Sequence, residues 1–229
     1  MVRFRYPLFI ALALFIAGLA LTSALQDRHY ILLSLVLLAS ALFPLFVRLE
    51  RRPIESRELV LLAVLSAVAA VSRIPFAALP SVQPVTTIVM LSAYVFGAEA
   101  GLIIGAMAAL VSNLYFGQGP WTPWQMFSWG MVGLSTGWLR NTRWMKSKTG
   151  MLVSGFVWGF LFGWIMNIWY LISLPDAFSW GLVAAAYVSS FYFDLAHALS
   201  NVFFLSILSG SWIKVLERFR KKYGLLQRN

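Results

Sequence analysis

The sequence predicts an all-α integral membrane protein with eight transmembrane spans and both termini in the cytoplasm. Three observations support this fold class. Of the 229 residues, 60% are hydrophobic and only 11% are charged, and the mean hydropathy is +0.79, whereas soluble domains carry about 25% charged residues. Eight segments are candidates for helices that cross a bilayer. Nearly all basic residues fall into alternate connections between these segments.

The predicted spans follow one another with short connections. A spanning helix needs about 20 mostly apolar residues, and the candidate segments lie near residues 7–25, 30–47, 58–73, 83–97, 100–116, 124–139, 150–172 and 186–210. The fourth is short, and Pro84 stands at its entrance, where a helix tolerates proline. The first span follows Arg3 and Arg5 as a signal peptide would, but it is long and a second span follows at once. We therefore expect an uncleaved anchor.

The basic residues fix the predicted orientation. On one side of the membrane the sequence places 16 of the 18 lysines and arginines, namely Arg3, Arg5, Arg48, Arg51, Arg52, Arg57, Arg140, Arg143, Lys146, Lys148, Lys214, Arg218, Arg220, Lys221, Lys222 and Arg228. Only Arg28 and Arg73 fall on the other side. The positive-inside rule makes the first side cytoplasmic. The net charge of +10 is therefore a topology signal with an anionic-lipid contribution, and a nucleic-acid role is excluded.

A basic linker with the sequence RLERRPIESRE marks the main change in composition, at residues 48–58. It divides the chain into a two-span N-terminal extension with the linker (1–57), a six-span membrane domain (58–210) and a basic cytoplasmic tail (211–229). The first two spans contain almost no polar residue near mid-depth, whereas the last six are rich in glycine, aromatic and polar residues. We therefore expect the function to lie in the six-span domain.

The segment GQGPWTPWQMFSWG at residues 117–130 interrupts the apolar pattern at the predicted outer surface. Pro120 and Pro123 stop helices, and irregular backbone at membrane depth is expected only against protein or a water-filled cavity. One interpretation is an interfacial loop in an aromatic belt. The other is a loop that caps a ligand cavity, with Trp121 and Trp124 as stacking faces and Gln125 as a hydrogen-bonding group. The segment alone does not decide between them.

Further polar and aromatic residues gather towards the predicted outer ends of the spans. They are Arg73, Gln83, Asn113, Tyr115, Asn167 and Tyr170. Convergent polar groups of this kind are typical of a binding site open to the outside.

In the last span, Asp194, His197 and Asn201 share one helix face. An aspartate near mid-membrane costs about 2.5–3.5 kcal/mol on insertion scales, so it should face the bundle interior or water. Three alternatives stay open. The three side chains form an internal network that locks the last helix, with His197 paired to Asp194, or they contact a ligand, or they have a coupling role outside the cavity.

Small residues recur at intervals of four in several spans. They are Gly101 and Gly105, Gly133 and Gly137, and Gly155, Gly159 and Gly163. Such ladders let helix backbones approach closely, and we expect them to pack inside one bundle. In the third span, Ala63 and Ala67 form a similar stripe that either packs internally or receives a partner helix.

The sequence lacks the motifs of several enzyme classes. It has no cysteine, no G-x-x-x-x-G-K-[ST] loop for ATP, no H-E-x-x-H helix and no G-x-S-x-G elbow. We therefore predict no catalytic residues, no metal site and no cofactor. The alternative is an intramembrane enzyme that uses Asp194 and His197.

Three stretches together resemble a known family. AAVSRIPFAALPSVQPVTTIVMLSAYVFGAEAGLIIGAMAALVSN, GQGPWTPWQMFSWGMVGL and FDLAHALSN resemble the substrate-binding S components of energy-coupling-factor (ECF) vitamin transporters, and most closely the cobalamin-type group. The resemblance covers about residues 58–210 and leaves the two leading spans outside the six-helix family core.

The resemblance implies a six-helix bundle in a bacterial or archaeal cell membrane that binds a vitamin near the outer surface. It implies a membrane coupling protein and two ABC-type ATPases as partners, which accounts for the missing ATP loop. The family's A-x-x-x-A motif contacts the coupling protein and maps onto Ala63 and Ala67. Cobalamin or a related corrinoid is the first ligand candidate, transported rather than kept as a cofactor. The stacking surfaces also suit flavin, thiamine or folate-like vitamins.

Overall fold

The computed structural model describes residues 55–174 and 179–223, together with Val36 and Ala39. Within these residues the chain is helical, without strands. The helices are α1 (Ser56–Val71), α2 (Val85–Phe96), α3 (Ala98–Phe116), α4 (Thr122–Leu139), the single turn α5 (Arg143–Lys146), α6 (Lys148–Ser173) and α7 (Trp180–Tyr223). The six long helices correspond in order to the six spans predicted between residues 58 and 210. The two leading predicted spans lie, apart from Val36 and Ala39, outside the described residues.

Four of these helices are long and apolar enough to cross a membrane: α1 with the following 3₁₀ turn, α3, α6 and α7. The shorter α2 has 12 residues, of which only Tyr94 is not buried. Twelve of the 18 residues of α4 are also buried. Because these two helices lie largely inside the bundle, they need less apolar surface towards lipid than the others. Pro84 is the N-cap of α2, as the sequence predicts.

The glycine ladders pack inside the bundle, which confirms that prediction. Along α3, a side chain added at Gly101 or Gly105 would collide with the backbone of α4. An added side chain at Gly159 of α6 would collide with the backbone of α7 at Ala198. Asn201 strengthens this second contact, because its Nδ2 donates to the carbonyl oxygen of Gly155 at 2.9 Å. The glycines therefore allow two close helix pairs within the bundle, α3–α4 and α6–α7.

We expect Gly159→Leu to destabilise the protein by about 1–3 kcal/mol or more, because overpacking a tight contact forces the backbone to shift. Gly210→Leu is the matched control, since Gly210 lies on α7 with open space around its missing side chain. Thermal unfolding of both variants in the same detergent checks the prediction. Equal unfolding temperatures for the two variants would contradict the close contact.

The bundle has two chemically different ends. The loop end comprises residues 72–84 and 117–121, which connect α1 to α2 and α3 to α4. At the opposite basic end, the guanidinium groups of Arg140 and Arg220 both donate to the carbonyl oxygen of Val95, at 3.1 and 2.8 Å. The 44 residues of α7 span about 66 Å at 1.5 Å per residue. This exceeds the thickness of a bilayer, about 40–45 Å, and the final turn of α7 is basic.

Candidate functional site

A cavity of about 230 Å³ lies towards the loop end, between the α1–α2 connection and helices α4, α6 and α7. Six of the predicted site residues line it, namely Arg73, Gln83, Gln125, Asn167, Asp194 and His197. Four different segments of the chain supply these six side chains. The cavity is therefore a product of the tertiary fold rather than of one motif.

Arg73 is the buried cation of the cavity, with 8% of its surface exposed. Its Nε donates to Gln83 Oε1 at 2.6 Å, and its Nη1 donates to the oxygens of Ser112 and Asn113. The guanidinium also lies over the rings of Phe116 and Trp129, at 4.6 and 4.9 Å from their centroids. All of these partners are electrically neutral, so none of them cancels the charge of Arg73.

Asn113 connects this arginine to the segment that interrupts the apolar pattern. Its Oδ1 accepts from Arg73, while its Nδ2 donates to Thr122 Oγ1 at 3.0 Å and to Gln125 Oε1 at 2.7 Å. Thr122 in turn accepts from the backbone of Gly119 and donates to Gln118. These hydrogen bonds tie residues 118–125 to the cavity wall.

The segment itself is irregular only over residues 117–121. Helix α4 begins at Thr122, and Pro123 stands in its first turn, where the missing N–H would have no intrahelical partner. The expectation that Pro123 stops a helix is therefore wrong, whereas Pro120 lies in the turn before the helix. The left-handed φ of 98° at Gly117 is a conformation that side chains disfavour.

His197 belongs to a hydrogen-bonded chain with Thr86 and Trp129. Trp129 Nε1 donates to Thr86 Oγ1 at 3.1 Å, and the same oxygen lies 2.9 Å from His197 Nε2. Because Thr86 accepts from the indole, its own hydroxyl hydrogen is available for His197 Nε2. The described contacts thus pair His197 with Thr86 and not with Asp194.

Asp194 ends a second hydrogen-bonded chain. Asn167 Nδ2 donates to Ser190 Oγ at 2.7 Å, and Ser190 Oγ donates to Asp194 Oδ2 at 3.0 Å. Gly163 leaves room for the carboxylate, because an added side chain there would collide with it. The three residues predicted to share one polar face therefore have different roles. Asp194 and His197 line the cavity, and Asn201 locks α7 onto α6.

The predicted aromatic residues lie elsewhere. Trp124 is 1% exposed and packs against Phe127 and residues of α6. Trp121 contacts Trp169 edge to face, at 5.9 Å between centroids. Tyr115 and Tyr170 are 65% and 45% exposed. None of these four residues lines the cavity.

Residues that sequence reasoning did not select complete the walls. Trp129, Phe162, Met166 and Phe193 give apolar surface, and Ser81 and Ser190 give hydroxyl groups. Trp129 and Phe162 contact each other with their centroids 4.7 Å apart. Ser81 has a φ of 61°, which is uncommon for a residue other than glycine. Within the described residues, no three histidine, aspartate or glutamate side chains cluster as a metal site would require.

Comparisons with known proteins give one finding. A family model described as "ECF transporter, substrate-specific component" matches residues 57–209. No curated protein and no solved structure matches the chain.

Proposed function

Because the chain belongs to the substrate-specific components of ECF transporters, we propose that it binds a vitamin in the cavity at the loop end and delivers it for ATP-driven import. The observation that carries this proposal is the cavity itself, which combines buried charged groups with aromatic walls. Such a combination is typical of small-molecule sites, in which a few polar groups orient a ligand against apolar surface.

The distribution of charge supports an outward-facing cavity. Arg140, Arg143, Lys146 and Lys148 lie at the basic end, opposite the cavity. Under the positive-inside rule this end faces the cytoplasm. The loop end, and with it the cavity, then faces the outside of a bacterial or archaeal cell.

Two ligand classes remain candidates within this function. A cobalamin-type corrinoid is favoured by the sequence resemblance alone. The cavity volume of about 230 Å³ favours a smaller ring system such as thiamine, since pockets for drug-sized ligands measure about 300–1,000 Å³. A corrinoid would require the loop end to open further than the described conformation.

The proposed partners are a membrane coupling protein and two ABC-type ATPases. The chain has no P-loop of its own, so the energy must come from other subunits. Ala63 and Ala67 are exposed on α1, which supports the assignment of this face to the coupling protein.

An intramembrane enzyme that uses Asp194 and His197 is not favoured by any contact in the cavity. Asp194 accepts from Ser190, and His197 lies against Thr86. The two side chains therefore do not form an acid–base pair in the described residues. We propose a transport subunit and not an enzyme.

Calorimetry with the purified protein tests the proposal. The titrated panel is cyanocobalamin, riboflavin, thiamine, folate and biotin, together with the phosphorylated forms of the smaller vitamins. We expect at least one member to bind with a micromolar or lower Kd, and mass spectrometry of co-purifying small molecules to identify the same compound. If no member binds at micromolar concentration, the proposed function is wrong.

A further inference from the structure

Two opposite charges lie in the walls of the cavity without forming an ion pair. Arg73 and Asp194 both line it and are 8% and 5% exposed. The hydrogen bonds of Arg73 go to neutral groups, and the only hydrogen bond that Asp194 receives within the described residues comes from Ser190. Burying an isolated charge is costly unless a partner compensates it.

Each of the two groups keeps unused hydrogen-bonding capacity. Arg73 Nε and Nη1 are occupied, whereas Nη2 makes no hydrogen bond within the described part of the chain. Asp194 Oδ2 accepts from Ser190, and Oδ1 has no donor among the described residues. Neither Arg73 Nη2 nor Asp194 Oδ1 is among the fully buried polar atoms that lack a hydrogen-bond partner. The guanidinium and the carboxylate therefore present a free donor and a free acceptor to the cavity.

The surroundings hold both groups in place. Gln83 holds the guanidinium at Nε, and Ser112 and Asn113 hold it at Nη1. Ser190, itself held by Asn167, fixes the carboxylate. A ligand group that meets either charge would therefore gain a charge-assisted hydrogen bond without ordering the side chain first.

We propose that the cavity selects a dipolar ligand, with an acidic group, either phosphate or carboxylate, on Arg73 and a basic nitrogen on Asp194. The apolar part of the ligand lies against Trp129 and Phe162, and the cavity of about 230 Å³ limits it to one or two rings. This inference rests on the proposed function and narrows its ligand to a chemical class. Neutral vitamins and large macrocycles fall outside that class.

Matched pairs of probes test the acidic group. Thiamine monophosphate and thiamine, pyridoxamine 5′-phosphate and pyridoxamine, and tryptophan and tryptamine differ only in a phosphate or carboxylate. We expect the acidic member of at least one pair to bind about 10- to 100-fold more tightly, the range of a charge-assisted hydrogen bond. The phosphate pairs and the carboxylate pair also distinguish the two sources of the acidic group.

The variants Arg73→Gln and Asp194→Asn then test whether Arg73 binds the acidic group and Asp194 the basic nitrogen. In the probe pair that shows the preference, Arg73→Gln should reduce the ratio of the two affinities to about one. Arg73→Lys should restore part of that ratio. Asp194→Asn should weaken tryptophan about tenfold and leave indole-3-propionate, which lacks the basic amine, unchanged. Arg140→Gln, which alters an arginine at the basic end, is the control for general loss of stability. A merely structural role of Arg73 would weaken both members of a pair equally.

The possible outcomes separate the two proposals. Tightest binding by riboflavin, biotin or cyanocobalamin, with affinity unchanged in Arg73→Gln and Asp194→Asn, would overturn the dipolar ligand and leave the transport function standing. A binding ratio that survives Arg73→Gln would also overturn it. If neither these probes nor the vitamin panel binds, both proposals are wrong.

Discussion

Replacing Ala63 or Ala67 with tryptophan is expected to reduce ATP-driven uptake to background while leaving ligand binding unchanged. Both alanines are exposed on α1, in line with Leu59 and Val71 at intervals of four residues. Two small side chains thus lie between two larger ones along this face. A partner helix can approach small side chains closely, and an indole ring would block that approach.

The buried side of α1 explains why binding should survive these changes. Leu62, Leu65 and Ala69 face the core, and Arg73 follows two residues after the helix. Because Ala63 and Ala67 point away from that core, a larger side chain there need not displace Arg73. The two variants therefore separate coupling from ligand capture.

Uptake into cells and calorimetry on the purified variant check this prediction, with whichever panel vitamin binds the unmodified protein. Val188→Trp is the matched control, because Val188 is 73% exposed on α7, away from α1. It should retain uptake. Normal uptake by Ala63→Trp would remove the docking assignment, and loss of binding in that variant would show that the face is structural.

The sequence predicts the helices of the membrane domain well because apolar length and proline positions are local properties. It also singles out Arg73, since this residue and Arg28 alone depart from the segregation of basic residues. The structure explains why an arginine lies at this weakly charged end, because Arg73 lines the cavity. The partners of Arg73 are less predictable, because Ser112 and Gln83 reach it only through the tertiary fold.

The sequence does not show which tryptophan of α4 faces the cavity. Trp124 and Trp129 lie on the same helix and are equally apolar, so composition cannot tell which one faces the cavity. The rotation of α4 decides, and the contact of Gly133 with Gly101 on α3 fixes that rotation. At about 100° per residue, Trp129 lies about 40° from Gly133 and Trp124 about 180° away. The glycine ladder therefore separates the two tryptophans by helix face, but α3 does not line the cavity, so only the tertiary fold shows that Trp129 reaches it.

Trp129→Ala is expected to weaken vitamin binding about 30-fold or more, the effect of losing a buried aromatic anchor. The indole of Trp129 gives the cavity a flat apolar face. It also lies against the Arg73 guanidinium and donates a hydrogen bond to Thr86. Removing it leaves Thr86 without a donor and widens the cavity. Calorimetry with the panel vitamin that binds the unmodified protein measures the loss.

Trp124→Ala is the matched comparison and should behave in the opposite way. Its ring fills space between α4 and α6 without reaching the cavity, so its loss creates a void that costs about 3–5 kcal/mol of stability. Binding by the folded fraction should stay within about threefold of the unmodified protein, the size of effect that a residue without ligand contact produces. If Trp124→Ala loses affinity while Trp129→Ala retains it, α4 presents a different face to the ligand.

Trp129→Phe separates the ring from its hydrogen bond. The phenyl ring keeps a stacking face but lacks the Nε1–H that donates to Thr86. If stacking dominates, Trp129→Phe should retain most of the affinity that Trp129→Ala loses. If the contact to Thr86 dominates, both variants should bind equally weakly and His197→Gln should share the defect, because Thr86 Oγ1 also lies against His197 Nε2. Affinity unchanged in all three variants would contradict a ligand site at this wall.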